Sequence, residues 1–487
     1  MRPVLPIFQR RVVSWNGSVA AAMIGLLLLS ACASPDLAPK GPTAQQAHAI
    51  IPPATTPKST TQQAAPGARA PALTSNQLIP GVAPGSAALP ITAASPAMPT
   101  RPAPDASGLM RVGLLVPLTG PSAPVGQALL NAAQMALFDV ADDRFVLQAY
   151  DTQGTPEGAI EASNKALSQG VQLLLGPLFS GEAKAVAPQA TAVGVNIVAF
   201  STDPAIAGPH VFVMGFLVQE QVRQIVAYAN AQGLKRFAVL APNSAYGQSV
   251  VDALKLVVPA RGGRVASVAF YQPDGKDLNQ VVRQLAAFDR RKQELERQKS
   301  ELAGKDDEIS QLALKRLERQ ETAGEVDFDT ILLPDQGTRL TQAATLLPFF
   351  DIDPGRVQLL GTLLWNAPGL GREPVMVGGV YPAPPLDSTR QFFTRYRELY
   401  GQAPPTIATH GYDAVALAAV LARSPATGTS VFSVEAITAS TGFVGIDGIF
   451  RFFPNGLSER GFAVMQVMRD GATVVQPAPS TFEAEQF

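Results

Sequence analysis

Cysteine occurs once in the 487 residues, at Cys32, and histidine three times. A single thiol cannot close an intrachain disulfide, and it cannot build a Cys-rich zinc site or an iron–sulfur cluster. Charge is also scarce. Asp, Glu, Lys and Arg make up 16%, against about 25% in an average soluble domain. With 38 basic and 39 acidic residues the formal net charge is −1, which leaves no basic footprint for a nucleic acid. The motifs of common enzymes are missing: HExxH, a GxSxG elbow, a Walker A lysine loop, and GxGxxG after a strand. No catalytic residue, metal or cofactor is expected, and the chain reads as a non-enzymatic protein that acts by binding.

The position of the one cysteine is informative. Arg2, Arg10 and Arg11 precede an apolar run from Val19 to Leu29, followed by Leu29-Ser30-Ala31-Cys32. The run is too short for the ~20 residues that span a bilayer, and it suits a signal peptide. The stretch resembles a bacterial lipobox. This implies that 1–31 is removed and that Cys32 becomes the lipid-modified first residue. The next residue is Ala33 rather than Asp, which by the same resemblance implies an outer-membrane anchor on the periplasmic side. From 32 to 107 prolines recur among Ala, Thr, Gln and Ser, and only six residues are charged. Such a segment has too few large apolar groups to offset the entropy of ordering it, so it is expected to be a disordered tether.

From residue 108 apolar runs alternate with amphipathic segments. Runs at 111–117, 145–150, 171–175, 196–200 and 211–216 predict strands, with helices between them at 126–138, 157–169 and 182–193. After a helix at 219–232 the rhythm restarts, with strands at 237–240, 264–271, 330–333, 357–360 and 375–380. Two βα series predict an α/β protein of two lobes, each a doubly wound parallel sheet. A block at 289–321 breaks the rhythm, with nine basic and nine acidic residues in 33. Leu295, Leu302 and Ile309 fall seven apart, and Ala303-Gly304-Lys305-Asp306 can turn the chain. This predicts a helical hairpin with arms of about 14 residues, either a solvated surface feature or a docking arm for another protein.

Few residues look chemical. His410, beside Gly411, reads as a packed or capping side chain. The pairs Asp142/Asp143, Asp327/Asp329 and Asp351/Asp353 read as caps and turns. What remains are the loops after the strands, where open α/β sheets bind ligands. They carry Ser180, Ser201, Thr202, Tyr246, Asp335 and Trp365-Asn366.

Four stretches, VGLLVPLTG at 112–120, LLLGPLFSGEA at 173–183, NIVAFSTDP at 196–204 and PNSAYGQS at 242–249, resemble, in that order, the type I periplasmic binding proteins of the leucine/isoleucine/valine kind. The resemblance implies ligand contacts for Ser180, Ser201, Thr202 and Tyr246. It also implies three crossings between lobes, near 216–220, 364–374 and 453–462, so that lobe 1 takes 108–217 and 366–453, and lobe 2 takes 218–365 and 460–475. Residues 359–370 hold no acidic side chain to match the one with which amino-acid binders grip an ammonium group. The anchor, the tether, this fold and LLPDQGTRL from 332 together look most like the penicillin-binding-protein activator lipoproteins. That resemblance implies a peptidoglycan synthase as partner. The alternative is a substrate-binding lipoprotein working with an ABC permease on a small amino-acid-like ligand.

Overall fold

The first series of apolar runs forms a five-stranded parallel sheet. Its strands are β1 (Met110–Val116), β2 (Phe145–Asp151), β3 (Leu173–Leu175), β4 (Asn196–Ala199) and β5 (Val211–Val213), in the order β2-β1-β3-β4-β5. Val112 and Leu114 of β1 point to one side with Leu173 and Leu175, and Leu115 points to the other with Leu174. Both faces are therefore covered, which is why these strands read as unbroken apolar runs rather than alternating ones. Of the helices between these strands, α1 (Ala123–Val140) covers the first face, and α2 (Pro156–Ser168) with α3 (Ser180–Ala192) covers the second. These details come from a computed structural model that describes residues 108–424 and 430–482. The expected signal peptide at 1–31, Cys32 and the tether to 107 lie outside the described residues.

The second series is α4 (Val218–Ala231), β6 (Arg236–Pro242), α5 (Ala245–Ala260), β7 (Arg264–Tyr271), α6 (Leu278–Leu285), α7 (Phe288–Ala303), α8 (Glu308–Leu317), β8 (Thr330–Leu332), α9 (Gly337–Phe349), β9 (Gln358–Leu360) and β10 (Val380–Ala383). Helices α4 and α5 cover one face of its sheet, and α6 and α9 cover the other. Helix starts are fixed locally: the Ser244 hydroxyl accepts the Gly247 N–H at 3.2 Å at the head of α5, satisfying one of the orphan donors there.

The strand expected at 375–380 starts later. Residues 363–376 instead make three short 3-10 turns, Leu363–Trp365, Leu370–Arg372 and Pro374–Met376. Pro374 has no N–H to give a sheet. Trp365 stacks on Gly361, where a Cβ would overlap the indole. β10 then pairs in parallel with β9 and antiparallel with β14 (Ala463–Met468). The chain therefore leaves the second lobe after Ala383, and the crossing expected near 364–374 is at 384–385. Residues 366–383, expected in lobe 1, belong to lobe 2. The sheet is β15-β14-β10-β9-β8-β6-β7, with β15 (Gly471–Gln476). Its last pair is antiparallel, because a two-residue link allows only a hairpin.

After the second crossing, α10 (Leu386–Tyr400) and α11 (Ala408–Arg423) return to lobe 1. Gly411 lets α11 lie directly on α1, since a Cβ there would strike the Leu129 carbonyl. α12 (Val434–Ile437) and a small sheet, β11 (Phe443–Gly445), β12 (Gly448–Phe452) and β13 (Ser458–Arg460), complete the lobe. Phe450 and Phe452 join the same core as Leu114 and Leu129.

The charged block is a hairpin with unequal arms, α7 of 16 residues and α8 of 10, where two arms of about 14 were expected. The Asp307 carboxylate caps α8 by accepting the Ser310 N–H at 2.9 Å. Leu295 is buried, but Ile309 is 81% exposed. The spacing of seven runs through the turn at 304–307, so it does not keep these residues on one face.

Candidate functional site

Three of the four residues expected to contact a ligand gather at the C-terminal edge of the lobe 1 sheet. Ser201 and Thr202 follow β4, and Ser180 opens α3. The Ser201 hydroxyl is buried and accepts the Asp203 N–H at 3.0 Å, so its lone pairs serve the loop first. Thr202 is exposed. Ser180 does not cap its helix. The Glu182 carboxylate does so instead, accepting the Phe179 N–H at 2.9 Å, and burial pushes that carboxyl above its ordinary value. Ser180 is thereby left as the first residue of the helix, with a half-buried hydroxyl near the Asp203 side chain. Asp203 is held below the usual carboxylate range, chiefly by the Ala205 N–H and further by Lys184 and Ser180. Its ion pair with Lys184 spans 3.3 Å. This edge thus offers hydroxyls to a small polar ligand, beside a Lys184 cation that Asp203 already matches.

Tyr246 belongs to the other lobe. Its hydroxyl donates to the Thr362 Oγ1 at 2.8 Å, and burial raises its pKa. A ligand reaching for this hydroxyl has to compete with Thr362. The loop residues singled out beside it are committed as well. Trp365 is 1% exposed and its indole N–H donates to the Leu333 carbonyl at 3.0 Å, so it is a core side chain. Asp335 is buried, accepts from Tyr271 and pairs with Arg339 at 3.2 Å. Its charge is already matched by Arg339.

The carboxylate pairs divide. Asp142 and Asp353 do serve turns, accepting the Arg144 and Gly355 N–H groups at 3.1 and 2.8 Å. Asp327 and Asp329 instead pair with Arg264 and Arg236, each at 2.6 Å, and Asp351 takes the Arg291 guanidinium at 2.8 Å. His410 is buried, and desolvation holds its pKa well below the ordinary value, which suits the packed role read from sequence.

The sequence reading missed the groups around His410. Asp413, Asp447 and Arg460 are 1%, 0% and 5% exposed, all at the junction of the lobes. A signal was available: His410 and Asp413 are three apart in an otherwise apolar helix, so they share a face.

Comparison with known proteins agrees with this architecture. A profile described as periplasmic binding protein matches residues 110–472. The Leu/Ile/Val-binding protein BraC3 of Rhizobium johnstonii is 27% identical over 195 residues, covering 37% of this chain and 52% of the relative. The chain spans about half the length of the curated relatives it matches. Among solved structures, one from Rhodospirillum rubrum described as a branched-chain amino acid ABC transporter superposes with a TM-score of 0.59 at 19% identity, over 75% of this chain and 100% of that one. Full-length LpoA of Haemophilus influenzae superposes at 0.54 and 15% identity, over 76% of this chain and 59% of that one.

Proposed function

The chain belongs to the periplasmic binding protein family, and from that premise we propose a lipid-anchored regulator that binds and stimulates a peptidoglycan synthase by contact, without chemistry of its own. The observation that carries this reading is the outer face of α8. Ile309 and Leu312 are 81% and 61% exposed, Arg316 continues the same stripe at helical spacing, and Arg319 follows in the turn just past the helix end. Neither arginine has an ion-pair partner among the described residues, whereas Arg297 and Lys299 of α7 are matched by Glu294, Glu301 and Glu296. Beside the hairpin base a cavity of about 410 Å³ is lined by Phe288, Pro348, Phe349 and Phe350, with Arg283 and Glu321 at its edge. Apolar groups flanked by unmatched cations suit a partner surface with an apolar anchor and acidic surroundings.

The test uses a purified membrane-bound synthase and the full chain. Ile309→Ser with Leu312→Ser is expected to weaken binding at least tenfold while the fold stays intact, and deletion of 289–321 is expected to abolish it. Unchanged affinity in both removes the hairpin from the reading. Release of the Cys32→Ser protein from the membrane fraction checks the anchor.

A second reading, a solute receptor for an ABC permease, is favoured by the polar edge of lobe 1 at Ser180, Ser201 and Thr202. There the lobes would close on a small ligand and shift a population. A rise in melting temperature with leucine, isoleucine or valine favours this reading over the first.

A further inference from the structure

All three connections between the lobes meet one buried polar cluster in lobe 1. At the first connection, the Arg460 guanidinium donates to the Met214 carbonyl at 3.0 Å and lies 5.0 Å over the Phe216 ring, and Phe216 packs edge-on against His410 with centroids 4.8 Å apart. At the second, Pro385 lies over Gly448, beside Asp447, where a Cβ would come within 3.1 Å of the proline ring. The third, 461–462, leaves directly from Arg460, and Phe462 packs against Phe216 at 5.8 Å. The Asp413 carboxylate holds the 445–448 loop by accepting the Ile446 N–H at 2.6 Å and the Asp447 N–H at 3.4 Å. The Asp447 carboxylate accepts from Thr409 at 2.7 Å and lies 3.6 Å from the His410 Nδ1.

The cluster is under-satisfied. Asp447 Oδ1 and Arg460 Nε and Nη1 are buried without hydrogen-bond partners, and Arg460 approaches Asp413 only to 3.9 Å. One guanidinium therefore faces two carboxylates with little water, an arrangement costly to hold fully charged. A third buried carboxylate sits across the junction. Glu220, 8% exposed near the start of α4, shares Arg223 with Glu459 of β13 (3.2 and 3.8 Å), and Glu459 also holds Arg451 at 2.6 Å. Arg223 thus bridges the lobes, and Glu220 competes for it.

We propose that this pivot is a proton-sensitive hinge: proton uptake by Asp413 and Glu220 favours the lobe arrangement described here, and proton loss favours one that admits water between the lobes. Burial drives both groups toward their neutral forms. Glu220 is pushed up to about 7, and Asp413 is raised by desolvation and by Asp447 against the opposing pull of Arg460. Their ionised forms need hydration that this arrangement withholds. Protonating Glu220 also leaves Arg223 to Glu459 alone and tightens the bridge. His410, kept neutral by burial and Arg460, adds no charge, and Tyr412 beside Asp413 is turned to Asp139 at 3.0 Å.

Spin labels at the exposed positions Glu161→Cys in lobe 1 and Lys255→Cys in lobe 2, in the full chain with Cys32→Ser, report lobe separation by pulsed electron resonance. Between pH 5.5 and 8.5 the distance distribution is expected to shift to a second population, with a midpoint near 7. Glu220→Gln with Asp413→Asn is expected to abolish the shift, and Glu220→Gln alone, if the double variant does not fold, to reduce its amplitude. A distribution independent of pH overturns the proposal. So does a shift that persists undiminished in the variants, which assigns it to other groups.

Discussion

The hairpin and the pivot both concentrate charge, and they do opposite things with it. In the hairpin eighteen charges lie within 33 residues. Arg297 pairs with Glu294 and Glu301, and Lys299 with Glu296, all on one helix. Such pairs contribute about 0–1 kcal/mol each, because water screens them and long side chains lose freedom in making them. At the pivot a few charges are withdrawn from water with incomplete partners, and the loss of any one leaves another uncompensated. Charge count therefore says little about charge energetics; burial decides.

That contrast can be broken by substitution. The largest effect is expected at Arg460. Arg460→Met leaves Asp413 and Asp447 facing each other without a cation and should cost about 3–5 kcal/mol in urea unfolding at pH 7.5. A loss that small-scale repacking reduces to nothing would mean that both carboxyls are already neutral there. Next comes Glu220. Its carboxyl is raised from the ordinary 4.5 to about 7 by burial, so the folded state binds the proton more tightly than the unfolded chain does. Its contribution is full below about 4.5, is lost as pH rises to about 7, and is flat above that. The difference is of the order of 3 kcal/mol. Glu220→Gln should flatten that part of the stability–pH profile, and an unchanged slope would sink the assignment.

Arg291 lies between the two regimes, at the hairpin's root. It is 8% exposed and donates to the Gly324 carbonyl and the Asp351 carboxylate, both at 2.8 Å. Arg291→Ala should cost about 2 kcal/mol by stranding those acceptors, read as a lower denaturation midpoint. The smallest effect is expected at Arg297. Arg297→Ala should leave the midpoint where it was, at low and at high salt. A cost there comparable to that at Arg460 would erase the distinction between the regions.

Much of the fold could be read without coordinates, because both faces of the sheets are covered and burial writes itself as unbroken apolar runs. β1, β2, β4, β6 and β7 lie within a residue or two of their expected positions, as do α2, α3 and α4, while α1 starts three residues before its expected position. The late strand was displaced because Pro374 and a Trp365 that folds back onto Gly361 produce 3-10 turns, which carry no periodic signal. The second crossing moved with it. Of the four candidate ligand contacts, Ser180, Ser201 and Thr202 share one edge because they follow adjacent parallel strands, a consequence of topology that the order of apolar runs predicts. Tyr246's engagement with Thr362 was not readable, since the two are 116 residues apart.

Local composition and spacing were enough to read the class of architecture, the two βα series, the position of the charged hairpin and the lone cysteine. Which charges are buried emerged from the folded chain alone. Asp413, Asp447, Arg460 and Glu220 come from an apolar helix, a turn, a short strand and the first turn of another helix. Nothing local distinguishes them from solvated residues. They meet because three separate chain crossings converge at one point, and the withdrawal of water there gives them their energetic weight.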